Sequence, residues 1–164
     1  MTLGTIFLDG DLRGVRFERD FDASPEEVWR AIATPEGIAG WLAQPVQWEL
    51  EPGRPWEVAF DGDFGRGTVV AVEPGRSVEL TWQTGDETES VLRIRVDGAG
   101  GGCRLVLEHT RLDPASAPGY GAGWQAHLEA LERTVAGVDA GAAPDWWERY
   151  SALRPEYDAH ANAL

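Results

Sequence analysis

The order of three patterns constrains the fold of this chain most strongly. Two helix N-termini follow each other closely. After them, a long stretch alternates between apolar and polar residues as β-strands do, and a single amphipathic helix follows. Ser24 is a suitable N-cap, Pro25 fits the first helical turn, and Glu27 completes a capping box. Thr34-Pro35 repeats the signal, so we predict helices over roughly 25–33 and 35–42. This order predicts an α+β fold in which a curved antiparallel sheet wraps around a long C-terminal helix.

Alternating apolar and polar residues predict a meander of antiparallel strands on both sides of the two short helices. A hairpin over residues 4–22 is expected to turn at Asp9-Gly10-Asp11. In its second strand Arg19 shares the inward face, where it either reaches the mouth of a pocket or, as we favour, folds out to solvent. Further strands are predicted around Trp48–Leu50, Trp56–Phe60, Gly67–Glu73, Val78–Trp82, Leu92–Val96 and Leu105–Thr110.

The C-terminal third is predicted to contain a loop, a long helix and a tail. Asp113–Gly123 is rich in Pro, Gly and Ala, and we interpret its end as a flexible gate beside a cavity. The helix then runs from Trp124 to about Val135, and Gly137 ends it. From Asp139 we expect a linker. These features divide the chain into a domain of sheet and helices, 1–137, and a helical tail, 138–164.

The tail carries a second capping-box pattern. Asp145 to Glu148 is expected to start a helix, which Pro155 interrupts. Tyr150, Leu153 and Tyr157 form an apolar stripe. We therefore expect the tail to dock on the domain or on a partner subunit, the second arrangement giving a homodimer.

Composition excludes several classes of function. The chain has 164 residues, which suit one core, and it carries 28 acidic residues against 14 arginines, with no lysine and a net charge of −14. This balance argues against nucleic acid and against anionic membrane surfaces as partners. The sequence has neither an apolar run long enough to span a bilayer nor a signal peptide, so we expect a cytoplasmic location. Cys103 is the single cysteine and is interpreted as a small buried apolar residue.

The three histidines are far apart and lack metal-binding spacing, so neither a metal nor another cofactor is predicted. His109 shares the inward strand face with Leu105 and Leu107, and His127 follows Trp124 by three residues. Two imidazoles beside an aromatic hollow would orient a ligand carbonyl or transfer a proton. The alternative is that each imidazole is satisfied by a backbone carbonyl in the core.

An ordered set of short motifs resembles the START-like (SRPBCC) superfamily. Within it, the chain is most similar to the bacterial branch named after the activator of the ninety-kilodalton heat-shock protein ATPase. Members often carry a His directly after the Gly-Trp pair, where this chain has Gln125. The resemblance implies a helix-grip fold with an apolar cavity between sheet and C-terminal helix, and some relatives are polyketide cyclases or aromatases. It is carried by Arg16–Arg19, Ser24–Trp29, Thr34–Gly37, Trp41-Leu42, Glu108–Thr110 and Gly123-Trp124.

Three functions follow as hypotheses. The leading one is a carrier, sensor or stress-related protein that binds an apolar small molecule, such as a lipid or polyketide, without catalysis. The second is a cyclase-like or hydrolase-like enzyme with His109 as its base. The third is a protein-interaction or co-chaperone-like module that uses the acidic surface and Trp146-Trp147. The residues expected to bind a ligand are Trp41, Trp56, Phe60, Trp82, Leu92, Ile94, Leu107, His109, Trp124, His127 and Leu128.

Overall fold

The computed structural model of the chain describes residues 2–138 and 145–164. In this part of the chain eight antiparallel strands form one sheet in the order β1-β2-β8-β7-β6-β5-β4-β3. The predicted α+β helix-grip fold is confirmed. The elements are β1 Thr5–Asp9, β2 Leu12–Phe21, α1 Pro25–Ala33, α2 Pro35–Ala39, β3 Gln44–Gln47, β4 Pro55–Phe60, β5 Asp63–Glu73, β6 Ser77–Thr84, β7 Ser90–Ala99, β8 Gly102–Leu112, α3 Ala117–Ala136 and α4 Trp146–Asn162.

The two short helices begin where their capping residues predict. Ser24 Oγ accepts a hydrogen bond from the Glu27 N–H at 3.2 Å, and Thr34 Oγ1 accepts one from the Gly37 N–H at 3.0 Å. A side chain at Gly37 would place its Cβ 2.4 Å from the Arg30 carbonyl oxygen, so glycine permits the close approach of α2 to α1. The second helix ends at Ala39 rather than Leu42, because the chain turns to bury the Trp41 indole, which donates to the Ala31 carbonyl.

The inner face of the sheet and one side of α3 form the core. Phe17, Leu92 and Leu107 on the strands are buried together with Leu128 and Leu131 on the helix. Their alternation along each strand is the period-two pattern expected from the sequence.

One strand prediction is wrong. The strand of this region is Gln44–Gln47, and Trp48 and Leu50 lie beyond its end. The Trp48 indole donates to the Ile32 carbonyl at 2.9 Å, so the chain leaves the sheet to pack against the end of α1.

Helix α3 begins at Ala117, seven residues before the predicted start, so the loop and gate predicted up to Gly123 are wrong. The glycines of this stretch lie in the helix and make room for α4. A Cβ on Gly121 would lie 2.5 Å from the Tyr157 ring, and one on Gly123 would lie 3.5 Å from the Trp146 ring. Gly137, with φ of 72°, ends the helix as predicted.

Helix α4 continues through Pro155, so the predicted interruption is wrong, and Asp145 makes no side-chain capping bond. The cost of proline is offset by packing, because Leu153 and Tyr157 are buried. The Tyr157 hydroxyl accepts from the Gly4 N–H at 2.7 Å and donates to Gln125 Oε1. The predicted linker, residues 139–144, lies outside the described residues. The division into domain and tail stays a prediction.

Candidate ligand-binding cavity

A cavity of about 890 Å³ lies between the α2–β3 segment, strands β4 to β6, helix α3 and the first half of α4. This volume is within the range of protein sites for small molecules. Eight Trp, Tyr and Phe side chains line it. They are Trp41, Phe60, Trp82, Tyr120, Trp124, Trp146, Trp147 and Tyr150.

Trp82 stands at the centre of the aromatic cluster. Its ring centroid lies 4.8 Å from that of Trp56, 5.3 Å from that of Trp124 and 6.2 Å from that of Phe60. The indole N–H of Trp82 donates to Thr84 Oγ1 at 2.9 Å, and that of Trp41 donates to a backbone carbonyl. Since these donors are already bonded within the protein, the rings offer a ligand their apolar faces.

Helix α4 supplies a wall that the sequence did not assign to the site. Trp146 stacks on Tyr150, with centroids 5.0 Å apart and planes 17° apart, and it lies 5.2 Å from the His127 ring. Spacing of four residues along a helix explains the stack. Trp146 Nε1 is the one buried side-chain nitrogen or oxygen without a hydrogen-bond partner among the described residues. The sequence singled out Trp146-Trp147 only for protein interaction, and it placed Tyr120 in a loop.

His109 lies in the core and does not line the cavity. Its ring is fully buried, with Trp124 Nε1 donating to Nδ1 at 2.9 Å and Ser90 Oγ lying 2.6 Å from Nε2. An indole N–H only donates, so Nδ1 is the acceptor and the proton of the neutral ring is on Nε2. Ser90 in turn lies within hydrogen-bond distance of the Trp82 carbonyl. Burial lowers the pKa of His109 to about 3, so the ring is neutral near pH 7.

His127 lies on the cavity wall. Its Nδ1 is 3.1 Å from the carbonyl oxygen of Trp41. Burial lowers the pKa of His127 to about 4, against a smaller opposite effect of that hydrogen bond. The imidazole is therefore neutral near pH 7, with its orientation fixed by the backbone.

The structure divides the eleven predicted ligand-binding residues into two groups, and their role in binding stays a prediction. Five of them line the cavity, namely Trp41, Phe60, Trp82, Trp124 and His127. The other six are buried in the surrounding core, each at most 4% exposed: Trp56, Leu92, Ile94, Leu107, His109 and Leu128.

Arg19 takes neither position expected for it. Its side chain is 11% exposed and pairs with Glu132 at 3.3 Å, and its guanidinium lies 5.3 Å from the centroid of the Phe17 ring. Cys103 is buried, and burial raises the pKa of its thiol. An unreactive packing role for this cysteine agrees with these facts.

Charged residues surround the aromatic wall, and the acidic ones predominate. Asp61, Asp63, Glu87 and Asp145 line the cavity together with Arg133, Arg149 and Arg154. Two of these arginines are engaged elsewhere, since Arg149 pairs with Glu129 and Arg154 with Asp158. Arg133 is the third cation of the lining, so acidic side chains outnumber basic ones there by one.

Residues 2–138 and 145–164 contain no group of three or more His, Cys, Asp or Glu side chains arranged to hold a metal ion. None of the four helices in the same ranges has both the length and the apolar character needed to cross a bilayer.

Comparison with known proteins places the geometry in a family. The family model described as activator of Hsp90 ATPase homolog 1-like protein matches residues 22–136. The crystal structure of CalU16 from Micromonospora echinospora is 22% identical, with a TM-score of 0.77, and the match covers 97% of this chain and 96% of CalU16. BPP1335 from Bordetella parapertussis is 30% identical, with a TM-score of 0.72, over 92% of this chain and 86% of that protein.

DynU16, described as a protein in the dynemicin biosynthetic locus, is 24% identical, with a TM-score of 0.71. The match covers 78% of this chain and 48% of DynU16. No functionally curated protein matches the sequence significantly.

Proposed function

This chain belongs to the family of activator of Hsp90 ATPase homolog 1-like proteins, and on that premise we propose that it is a carrier or sensor of a hydrophobic small molecule. The observation that carries the proposal is the aromatic cavity of about 890 Å³. Its ring faces are apolar and the indole donors of Trp41, Trp82 and Trp124 are bonded within the protein. Such a cavity gains most of its affinity from burial of apolar surface.

The size of that gain agrees with reversible binding. Burial of about 200 Å² of apolar ligand surface contributes roughly 5 kcal/mol. Part of this is offset by the lost freedom of the ligand. The rigid ring cluster lowers the cost on the protein side, because its side chains are already ordered by their contacts with one another. Affinity between about 0.2 and a few millimolar for a two-ring or three-ring aromatic compound is therefore the expected order of magnitude.

The comparison with DynU16 supports a product or intermediate of biosynthesis as the ligand class. That protein is described as belonging to the dynemicin biosynthetic locus. A polyketide-like or lipid ligand for this chain is the corresponding proposal. Location in the cytoplasm also stays a prediction.

The enzymatic hypothesis has weaker support. Both ring nitrogens of His109 are bonded within the protein, to Trp124 and Ser90. Neither nitrogen is free to take a proton from a ligand, and the ring does not line the cavity. The carrier or sensor hypothesis requires no such base.

Association through the tail remains a separate proposal. Leu153 and Tyr157 are buried within the same chain, which leaves Trp147, 52% exposed, as the aromatic residue of α4 available to a partner. Light scattering of the full chain and of Trp147→Glu tests this. A dimer mass that falls to a monomer mass in the variant supports a homodimer, and a monomer mass in the wild type contradicts it.

The decisive experiment on binding is native mass spectrometry of protein purified from its own host, which should reveal a retained small molecule. A matched pair of variants adds a test in solution. Ala130 lines the cavity, whereas Val70 is exposed on β5 and does not line it. Ala130→Trp should weaken binding of 2-methoxynaphthalene at least about tenfold by filling the cavity, and Val70→Trp should leave it unchanged. Equal affinities in both variants would contradict the proposal.

A further inference from the structure

The tautomer of His127 is determined by its hydrogen bond to the backbone. Its Nδ1 lies 3.1 Å from the Trp41 carbonyl oxygen. A carbonyl oxygen only accepts, so Nδ1 carries the proton and donates it to this bond. A neutral imidazole has a single N–H, and the remaining nitrogen, Nε2, then carries a lone pair and accepts. The sequence had suggested a histidine that orients a ligand carbonyl, but in this arrangement His127 has no proton left to donate.

Nε2 of His127 is open to the cavity. No protein donor to it is found in residues 2–138 and 145–164. Within the same ranges, the buried side-chain nitrogens and oxygens that lack a partner comprise Trp146 Nε1 alone. Nε2 therefore is not sealed in the core. Since the His127 ring lines the cavity, this nitrogen is a hydrogen-bond acceptor within reach of a ligand.

Aromatic rings surround this acceptor. The His127 centroid lies 5.2 Å from that of Trp146, 5.8 Å from that of Trp124 and 6.0 Å from that of Phe60. A ligand group that reaches Nε2 is therefore attached to a body that packs against three aromatic side chains. Planar aromatic compounds fit such walls best, because offset and edge-to-face contacts add to the burial of apolar surface.

The same geometry disfavours two other classes of ligand. A carbonyl or carboxylate oxygen placed at Nε2 would bring two lone pairs together. A carboxylate would in addition enter a cavity lined by four acidic residues, where Arg149 and Arg154 are paired with other side chains and Arg133 is the one further cation of the lining. An uncharged ligand with a donor at its edge meets neither obstacle.

We propose that the cavity selects an uncharged aromatic compound with a hydroxyl group, which donates a hydrogen bond to Nε2 of His127. This inference rests on the proposed ligand-binding function and names the chemistry of the ligand. It makes His127 the residue that determines specificity, while the aromatic rings supply affinity that depends little on the position of polar groups.

The test compares two probes of similar shape, 2-naphthol and 2-methoxynaphthalene, by isothermal titration at pH 7. Only the first can donate a hydrogen bond. The proteins are the wild type, His127→Asn and His160→Asn. Asparagine at position 127 retains an N–H for the Trp41 carbonyl but has no atom in the place of Nε2. His160, in the last turn of α4, does not line the cavity and provides the matched control.

The preference is the Kd of 2-methoxynaphthalene divided by the Kd of 2-naphthol. This ratio should be about five- to tenfold larger in the wild type and in His160→Asn than in His127→Asn. A second measurement needs no variant. The ¹⁵N resonance of His127 Nε2 should shift upfield when 2-naphthol binds, and should move much less with 2-methoxynaphthalene.

Two outcomes overturn the proposal in different ways. An equal preference in all three proteins, or an Nε2 resonance that responds alike to both probes, removes the acceptor role of His127 and leaves ligand binding by the cavity intact. Failure of the wild type to bind either probe overturns the proposed binding function together with this inference.

Discussion

Acidification from pH 7 to pH 5 should destabilise the fold through its two buried neutral histidines. Burial lowers the pKa of His109 to about 3 and that of His127 to about 4. In the unfolded chain both side chains have a pKa of about 6.5. The unfolded state therefore binds protons first as the pH falls. Stability is greatest above pH 6.5 and is lost progressively between pH 6.5 and the two folded-state values.

The magnitude follows from the separation of the pKa values. Between pH 7 and pH 5, a histidine that stays neutral in the folded protein lowers the free energy of unfolding by about 2 kcal/mol. His109 is fully buried and should contribute this amount. His127 lines the cavity, where water moderates the effect, so its share is at most similar. The total is a decrease of about 2 to 4 kcal/mol in the free energy of unfolding.

Urea unfolding followed by tryptophan fluorescence at both pH values measures this decrease. His109→Asn lowers stability at every pH, since it leaves a cavity and disrupts the contact with Ser90, but its decrease between pH 7 and pH 5 should be about 2 kcal/mol smaller than in the wild type. Most carboxylates remain ionised above pH 5. A decrease of the same size in both proteins would refute the role of His109, and no decrease in the wild type would refute the whole argument.

Three further predictions concern the contact between α3 and α4, and urea unfolding at pH 7 measures all three. Gly121→Ala should destabilise the protein by about 1–3 kcal/mol, because its Cβ would lie 2.5 Å from the Tyr157 ring. Gly123→Ala should stabilise it by up to about 1 kcal/mol, since its Cβ meets Trp146 at 3.5 Å and alanine favours helix; effects of the same sign would contradict this packing. Tyr157→Phe should cost about 1–3 kcal/mol by leaving Gln125 and the backbone of Gly4 without this hydroxyl, and an unchanged midpoint would show that the buried hydrogen bonds contribute little.

The elements that could be predicted from the sequence are those set by local interactions. The caps at Ser24 and Thr34 determine where α1 and α2 begin, and alternation along the strands identifies the inner face of the sheet. Motifs spread over the chain were sufficient to identify the family, which the match to residues 22–136 confirms.

The errors arise where contacts between distant segments override local preference. Gly119 to Gly123 has the composition of a loop, yet it is helical because α4 packs where side chains are missing. Pro155 is tolerated because its helix is held by Leu153 and Tyr157. Trp48 lies outside the strand that its alternation predicts, because its indole donates a hydrogen bond to the Ile32 carbonyl. Neither the tautomer of His127 nor the position of Trp146 follows from local sequence, because each depends on contact with a residue of another structural element.

The position of α4 has a consequence for how binding preference can diversify. The family match ends at residue 136, whereas Trp146 and Tyr150 come from a later segment and form one side of the cavity. The strands and α3 can therefore stay unchanged while an exchange of residues 145–164 alters the shape of the cavity. Chimeras that carry the C-terminal segments of relatives should therefore bind different ligands while keeping the same sheet and α3.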